Sequence, residues 1–432
     1  MIILNAQDED FDKHLDELEK IRSFENTKIN AQVKDIVDNI RDRGALALLE
    51  YTYRFDRIQL TKDELCVSGA EIKNAHTLVE GKIVEAIKSA IERIRAFHAK
   101  QKINSWIETE PEGTILGQII RPLKRICIYA PGGKAAYPSS VYMCAIPALV
   151  AGVKEIVLVT PPQADKTINP YVLVTADLLG ISEIYRIGGA QAVAALAYGI
   201  EGIPKVDKIV GPGNIYVTYA KKLVFGQCDI DMLAGPSEVL IVADETSYPE
   251  FIAADLLSQA EHDEQAIPIL LTPSLELLDA CKKELNVQMK KLERQNIIQK
   301  SIENNCLMIH TRDLYHAIDL SNKIAPEHLE LSIKNPFPFL PKIENAGSIF
   351  LGYYTPEAMG DYILGPNHVL PTSGTARFSS PLGVSDFIKR SSVSYCSKES
   401  LRLCGEKAIT VADIEGLGAH AQSIKRRFSL LD

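Results

Sequence analysis

The stretch KRICIYAPGGKAAYPSSVYMCAIPALVAGVKEIVLVTPP, residues 124–162, decides the fold. Two short apolar runs, Arg125–Ala130 and Glu155–Thr160, flank an apolar segment of helical length, Ser139–Ala151. Apolar runs of this length, bounded by turn residues and joined by a helix, read as parallel strands with a crossover. The rhythm continues with strands at Glu183–Ile187 and Asp207–Val210 and helices at Tyr171–Leu179 and Ala190–Tyr198. A second series begins at strand Val239–Ala243. It runs through helix Pro249–Ala260, strand Ile267–Leu271, a long helix over Leu275–Leu292, and strands Leu307–His310 and Ser348–Leu351. The fold class is α/β, with two parallel-sheet domains in tandem.

Upstream of this region the chain reads as helical. Val33, Ile36, Val37 and Ile40 share one helix face and Gly44 offers a stop. Val84–His98 is a second amphipathic stretch, and Phe11–Ile21 reads as a short charged helix in an arm that packs on one side. From about Ser379 the alternation breaks, and the remainder reads as a small appended module.

Composition narrows the function classes. The 432 residues exceed one ordinary domain, and 46% hydrophobic with 24% charged residues exclude a disordered chain or a coiled coil. With 47 basic and 56 acidic residues the net charge is -9, so the mean field repels nucleic-acid phosphate and anionic membranes. The longest apolar stretch, Val141–Val153, is too short to span a bilayer and contains Pro147. The opening MIILNAQDEDFDK lacks a basic, then apolar leader, and the expectation is a cytoplasmic protein. Eight cysteines without a CxxC pair read as reduced, mostly buried thiols.

Nucleotide fingerprints are mostly negative. A Walker loop needs Ser or Thr after Gly-Lys, but Ala135 follows Gly133-Lys134, and no GxGxxG is present. Three Gly-rich turns nevertheless follow predicted strands: Pro131-Gly132-Gly133, Gly188-Gly189 and Gly211-Pro212-Gly213. Gly188-Gly189-Ala190-Gln191 opens a helix whose backbone donors suit a diphosphate; simple tight turns are the alternative.

The polar signals lie further on. Gln259 and His262, three apart at a predicted helix end, leave one face and suit two ligands of one ion; a polar surface turn is the alternative. Pro326-Glu327-His328-Leu329-Glu330 reads as a helix start, which gives Glu327 a structural reason, while adjacent Glu and His could supply a base and a proton shuttle. Met359-Gly360-Asp361-Tyr362 and Pro366-Asn367-His368 place acid and imidazole in a predicted loop. Glu415-Gly416-Leu417-Gly418-Ala419-His420 lies near the C-terminus.

These segments together closely resemble the histidinol dehydrogenase family. The likeness is carried by Asp229–Val239 (DIDMLAGPSEV), Ala254–His262 (ADLLSQAEH), PEHLE at 326–330, EGLGAHAQS at 415–423, Tyr129–Gly133, Gly188–Ala192 and Gly211–Asn214, in collinear order over nearly the whole chain. The resemblance implies oxidation of L-histidinol to L-histidine through L-histidinaldehyde, a four-electron reaction using NAD and one zinc ion (Zn2+) per subunit, in the last steps of histidine biosynthesis. It makes Gln259, His262, Asp361 and His420 the metal ligands and Glu327 and His328 the acid/base pair. Ser237, Gln259, His262, His328, Asp361, Glu415 and His420 line the substrate site, and Tyr129, Gln191 and Asn214 touch NAD.

The same resemblance implies incomplete Rossmann-like domains and a domain-swapped homodimer whose tail completes the neighbour's site. The expected organisation is an N-terminal helical arm at 1–24 and a first α/β domain of 25–110 and 237–378 carrying the metal and catalytic residues. A second, NAD-binding α/β domain spans 124–236, and a C-terminal module, 379–432, reaches the partner. Two imidazoles, a carboxylate and an amide suit zinc, with cobalt or manganese as substitutes. A thiol route through Cys127 or Cys144, a zinc hydrolase and a non-catalytic binding protein are the rival readings.

Overall fold

The computed structural model describes residues 1–22, 26–132, 137–429 and 431. Gly133, Lys134 and Ala135, on which the Walker comparison turns, and the end of the arm at Ser23 and Phe24 fall outside the described residues.

Arg125–Tyr129 is the middle strand of a five-stranded parallel sheet. Across that sheet the order is Glu183–Tyr185, Glu155–Val159, Arg125–Tyr129, Lys208–Val210, Asp229–Ile230. All five residues of the middle strand are buried, as a parallel strand covered on both faces requires. The second series forms a six-stranded parallel sheet in the order Ile2–Asn5, Leu307–His310, Ile267–Thr272, Glu238–Ala243, His328–Ser332, Ser348–Leu351. Both parallel sheets of the expected fold class are thus present.

Several local expectations are corrected. The opening segment is more than an arm: Ile2–Asn5 adds an edge strand beside Leu307–His310, and Phe11, Leu15 and Leu18 enter the core under that sheet. Pro326 and Glu327 do not start a helix. The preceding helix, Leu314–Ile324, ends at Ala325 in the left-handed region, and His328–Ser332 becomes a strand between Glu238–Ala243 and Ser348–Leu351. Pairing on both sides and complete burial outweigh the helix-start signal of Pro-Glu. Met359–Tyr362, read as loop, belongs to the short helix Glu357–Tyr362. The predicted Leu275–Leu292 helix breaks near Gln288, and a further helix, Gln295–Asn305, follows.

Helix Thr27–Arg43 is capped by Asn26, whose side chain accepts from the Ile29 amide at 3.0 Å, and it stops at Gly44, φ 57°. The sequence groups 25–110 with 237–378; in the fold, Val33, Ile36, Val37, Ile40, Ala47 and Leu48 share one core with Cys127, Val157 and Ile209 of the five-stranded sheet. Each fully buried aliphatic side chain of this kind contributes roughly 1.5–3 kcal/mol.

The chain divides into two compact units, residues 1–101 with 124–386, and residues 102–123 with 387–432. Both parallel sheets lie in the first. The second contains an antiparallel sheet, Trp106–Thr109, Ile115–Pro122 and Ile388–Tyr395, and two helices, Lys398–Ile414 and Gly418–Phe428, that pack around Ile409, Ala412 and Ala421. Among the described residues no helix is long and apolar enough to cross a membrane.

Candidate active site

Within the first unit, the carboxyl end of the five-stranded sheet and the amino end of the six-stranded sheet line one cleft of about 660 Å³. The former contributes Pro131 and the turn Gly211-Pro212-Gly213-Asn214. The latter contributes Ser237, just before strand Glu238–Ala243, and Glu327 and His328, at the start of strand His328–Ser332. His262, just past helix Pro249–Ala260, and Asp361, on helix Glu357–Tyr362, complete the polar wall with His368. A helix following a parallel strand runs back toward the amino edge, which is why His262 arrives there.

The Gly211 turn is held by a buried ion pair. Lys221 Nζ lies 2.7 Å from Asp231 Oδ1 and donates to the Gly211 carbonyl at 2.5 Å, while the Gly211 amide donates to Asp231 Oδ2 at 2.7 Å. Gly211 has φ 111°, and a Cβ there would come within 2.2 Å of the Tyr129 carbonyl oxygen, so only glycine fits. Asn214 caps helix Ile215–Val224, its side chain accepting from the Tyr216 and Val217 amides at 3.0 and 3.2 Å.

Gln191 and Tyr129 stand at the neighbouring Gly188-Gly189 turn. The buried Tyr129 hydroxyl accepts from the Gly189 amide at 3.0 Å, whereas both amide atoms of the buried Gln191 lack a hydrogen-bond partner. An unsatisfied buried amide beside a Gly-rich turn suits a polar ligand such as a dinucleotide. Gly133 of the third turn lies outside the described residues.

Glu327 and His328 are both held by the main chain of one residue. The Glu238 amide donates to Glu327 Oε2 at 2.8 Å, and His328 Nδ1 lies 2.9 Å from the Glu238 carbonyl oxygen. Because a carbonyl only accepts, Nδ1 carries the hydrogen and Nε2 of the neutral ring keeps its lone pair. That Nε2 has no hydrogen-bond partner and stands 3.6 Å from Asp361 Oδ1. Glu238 is itself clamped: its fully buried carboxylate takes Arg22 Nη2 at 2.7 Å and the Ser373 amide at 3.2 Å.

Charge is strongly perturbed here. Burial pushes the Glu327 carboxyl up to about 8. Burial opposes the His328 imidazolium, but the Glu327, Glu357 and Asp361 carboxylates outweigh it and hold His328 well above the usual imidazole range. Burial works to raise Asp361 too, yet His328, His368 and His262 keep it below the usual carboxylate range. His262 faces solvent through the mouth of the cleft, while the surrounding protein still disfavours its charged form and lowers its pKa. Such clustering of shifted groups marks functional sites more often than structural ones.

The donor set fits a divalent ion. Gln259 is fully buried with both amide atoms unpartnered, and one ligand atom each of His262, Glu357 and Asp361 lie within 4.8 Å of one another. Nitrogen and carboxylate oxygen donors without thiolate suit zinc, cobalt or manganese. Glu415 and His420 belong to the second unit: Glu415 ends helix Lys398–Ile414, His420 lies on helix Gly418–Phe428, and both side chains are exposed.

The residues that sequence reasoning passed over are Arg22, Glu238, Asp255, Glu330 and Glu357; His368 was singled out with the predicted loop but given no role. Glu238 and Glu330 had a signal: Glu238 opens the otherwise apolar strand EVLIVA, and Glu330 is a carboxylate in the middle of the short strand HLELS. Glu330 accepts from the Glu357 amide at 2.6 Å, and burial pushes the neighbouring Asp255 up to about 6. Glu357 and Asp361 had the i, i+4 spacing of a shared helix face, hidden because the segment read as loop.

Two parallel sheets that share a cleft of this size, walled by imidazole and carboxylate on one side and Gly-rich turns on the other, define an α/β enzyme acting on a small polar substrate. Residues 19–428 match the family model described as histidinol dehydrogenase. A histidinol dehydrogenase of Clostridium acetobutylicum is 52% identical over 419 residues, 97% of each chain, and one of Aquifex aeolicus is 50% identical over 424 residues, 98% of each. A crystal structure of histidinol dehydrogenase from Elizabethkingia anophelis superposes with a TM-score of 0.92 at 39% identity, covering 100% of this chain and 98% of that one. The chain belongs to the histidinol dehydrogenase family of oxidoreductases.

Proposed function

We propose that this chain catalyses the zinc- and NAD-dependent, four-electron oxidation of L-histidinol to L-histidine by way of L-histidinaldehyde, in the last steps of histidine biosynthesis. The observation that carries the reading is the single cleft in which Ser237, His262, Glu327, His328 and Asp361 face the Gly211–Asn214 turn. Family membership points to the same substrate.

In this reading Gln259, His262 and Asp361 hold zinc together with His420, and Tyr129, Gln191 and Asn214 hold NAD. Bound zinc would orient the imidazole and amine of the substrate, and its charge would offset the pull of Asp361 that keeps His328 protonated. Bound NAD would accept a hydride in each of the two oxidations. Neutral His328 takes the alcohol proton on Nε2, the atom its Nδ1 contact leaves free. Glu327 then draws a proton from the water that attacks the aldehyde carbon, a task matched by a carboxyl pushed up to about 8. Ser237 and Glu415 contact the substrate's polar groups.

The sheet within 124–236 serves NAD, and the segment 237–378 carries the metal and acid/base residues. The protein works as a cytoplasmic homodimer in which the C-terminal module, with Glu415 and His420, completes the neighbouring subunit's site.

The test is the NADH yield from a limiting amount of L-histidinol with zinc and excess NAD. Two NADH per histidinol is expected. One would reduce the reaction to an alcohol oxidation that releases the aldehyde, and none from folded, zinc-loaded protein would overturn the reading.

A further inference from the structure

The chain crosses from the five-stranded to the six-stranded sheet through residues 231–237. Asp231, Met232 and residues 234–237 line the cleft, and Ser237 leads into strand Glu238–Ala243. This crossing is fastened to one helix, Ile215–Val224, which starts at the Gly211–Asn214 turn with Asn214 as its cap. Thr218 and Lys221 are three apart and leave one face of that helix. Thr218 Oγ1 donates to the Ala234 carbonyl at 3.2 Å, and Lys221 Nζ reaches Asp231 Oδ1. Besides Lys221, the Asp231 carboxylate takes the Met232 amide on Oδ1 at 2.7 Å and the Gly211 amide on Oδ2. At the far end of the crossing the Gly235 amide donates to Thr372 Oγ1 at 2.6 Å.

Lys221 is 3% exposed and the Asp231 side chain 1%. An ion pair this buried adds little net stability over apolar side chains of the same volume; what it adds is direction. Here the direction links the turn on one wall of the cleft to the segment that carries Ser237 on the other. Such a link matters to a hydride transfer, whose reacting atoms must approach to about 3–3.5 Å. A misplacement of about 1 Å costs roughly 100-fold in rate.

We propose that Thr218 and Lys221 are positioning residues that hold the cofactor wall of the cleft at a set distance from its substrate wall, by fixing the 231–237 crossing to the helix behind the Gly211–Asn214 turn. The proposal rests on the reading of that turn as part of the NAD site. Thr218 acts through Ala234, and Lys221 through Asp231 and Gly211. Because both oxidations pass a hydride to NAD, losing the link slows both alike and leaves the yield at two NADH per histidinol.

The experiment uses the full-length, zinc-loaded protein. Single-turnover NADH traces give the rates of the two oxidations per NAD site, and calorimetric titrations give the dissociation constants of NAD and of L-histidinol separately. Thr218→Val keeps the shape and removes the hydroxyl. It is expected to slow both oxidations at least fivefold with both dissociation constants within twofold of wild type, whereas Thr218→Ser, which retains the donor, recovers most of the rate. Lys221→Met is expected to slow both at least tenfold and to weaken NAD binding at least threefold, because the Gly211 carbonyl loses its donor as well.

A Thr218→Val rate per site within twofold of wild type would overturn the proposal. An equal loss in Thr218→Ser would make packing the cause and overturn it too, as would a slowing confined to one of the two oxidations. Should Lys221→Met fail to fold, the Val and Ser variants of Thr218 decide the matter. Asn214→Ala binding NAD as tightly as wild type would instead bring down the underlying reading of the cofactor turn.

Discussion

Replacing Arg22 by Met tests how Glu327 and His328, the proposed acid/base pair, are supported. Arg22 is 6% exposed; it donates to Glu238 Oε2 at 2.7 Å and to the Ile324 carbonyl at 2.9 Å. Without it, the fully buried Glu238 carboxylate keeps one donor, the Ser373 amide at 3.2 Å. Breaking a buried pair from one side costs about 3–5 kcal/mol, because the remaining charge stays uncompensated. Set against a total stability of about 5–15 kcal/mol, that is a large fraction, and Tm should fall by roughly 5–10 °C. The sign with pH follows from burial, which pushes the Glu238 carboxyl upward against the pull of Arg22. Once Arg22 is gone, the folded-state pKa rises further above its unfolded value, so stability is lost as pH rises, and the penalty is larger at pH 8 than at pH 5. The Glu238 main chain also holds Glu327 and His328, and loosening it should lower kcat by about 10–100-fold with KM for histidinol little changed. Urea and thermal melts at both pH values, with steady-state kinetics well below Tm, measure all three effects. Arg22→Met with Glu238→Gln should recover most of the stability. A single variant that melts within a degree of wild type, or a double variant no more stable than the single, refutes the reasoning.

Glu327→Gln should retain zinc and histidinol binding but lower the second oxidation by about 10²–10⁴-fold. The wild-type rate should climb as pH rises through about 8, where Glu327 ionises, and single-turnover NADH traces of the variant should lack that limb. Cys127→Ala and Cys144→Ala should keep appreciable turnover at two NADH per histidinol, since both thiols are buried and burial pushes them far above neutrality; loss of the second hydride alone would reinstate a thiol route. Asp56→Asn should stabilise the protein by about 1 kcal/mol at pH 8 and not at pH 4, read from urea melts. Burial pushes Asp56 up to about 6 and one oxygen is unpartnered, so the wild type loses stability as pH rises from about 4 through 6, and partial exposure keeps the effect small. Mixing His420→Ala chains with Glu327→Gln chains should recover activity if each site draws on two subunits, and an absence of recovery after subunit exchange would argue against a shared site.

The parallel sheets were legible because their strands are short and mostly apolar. Arg125–Tyr129, Ile156–Val159 and Ile267–Thr272 are buried on both faces and leave no competing pattern. Ile2–Asn5 escaped because an edge strand of four residues carries little periodicity, and its place depends on Leu307–His310, some three hundred residues away. Pro326-Glu327 misled because a helix-start signal is local, whereas the strand that follows is made by two neighbours.

Side-chain chemistry was legible residue by residue. Gln259, His262, Glu327, His328 and Asp361 stand in turn-rich or helix-end contexts that point to polar work, and a long collinear resemblance assigns their roles. Sequence alone determined the α/β class, the strand order along the chain and the inventory of donors, because these depend on local apolar pattern and residue type. Only the tertiary structure decided that the Gly211–Asn214 turn faces Glu327 and His328 across one cleft, that Glu238 orients both, and that Arg22 and Glu357 bear on the same site. Those facts arise from contacts between residues far apart in the chain, where burial without water makes each unpaired charge demand a partner that no local pattern specifies.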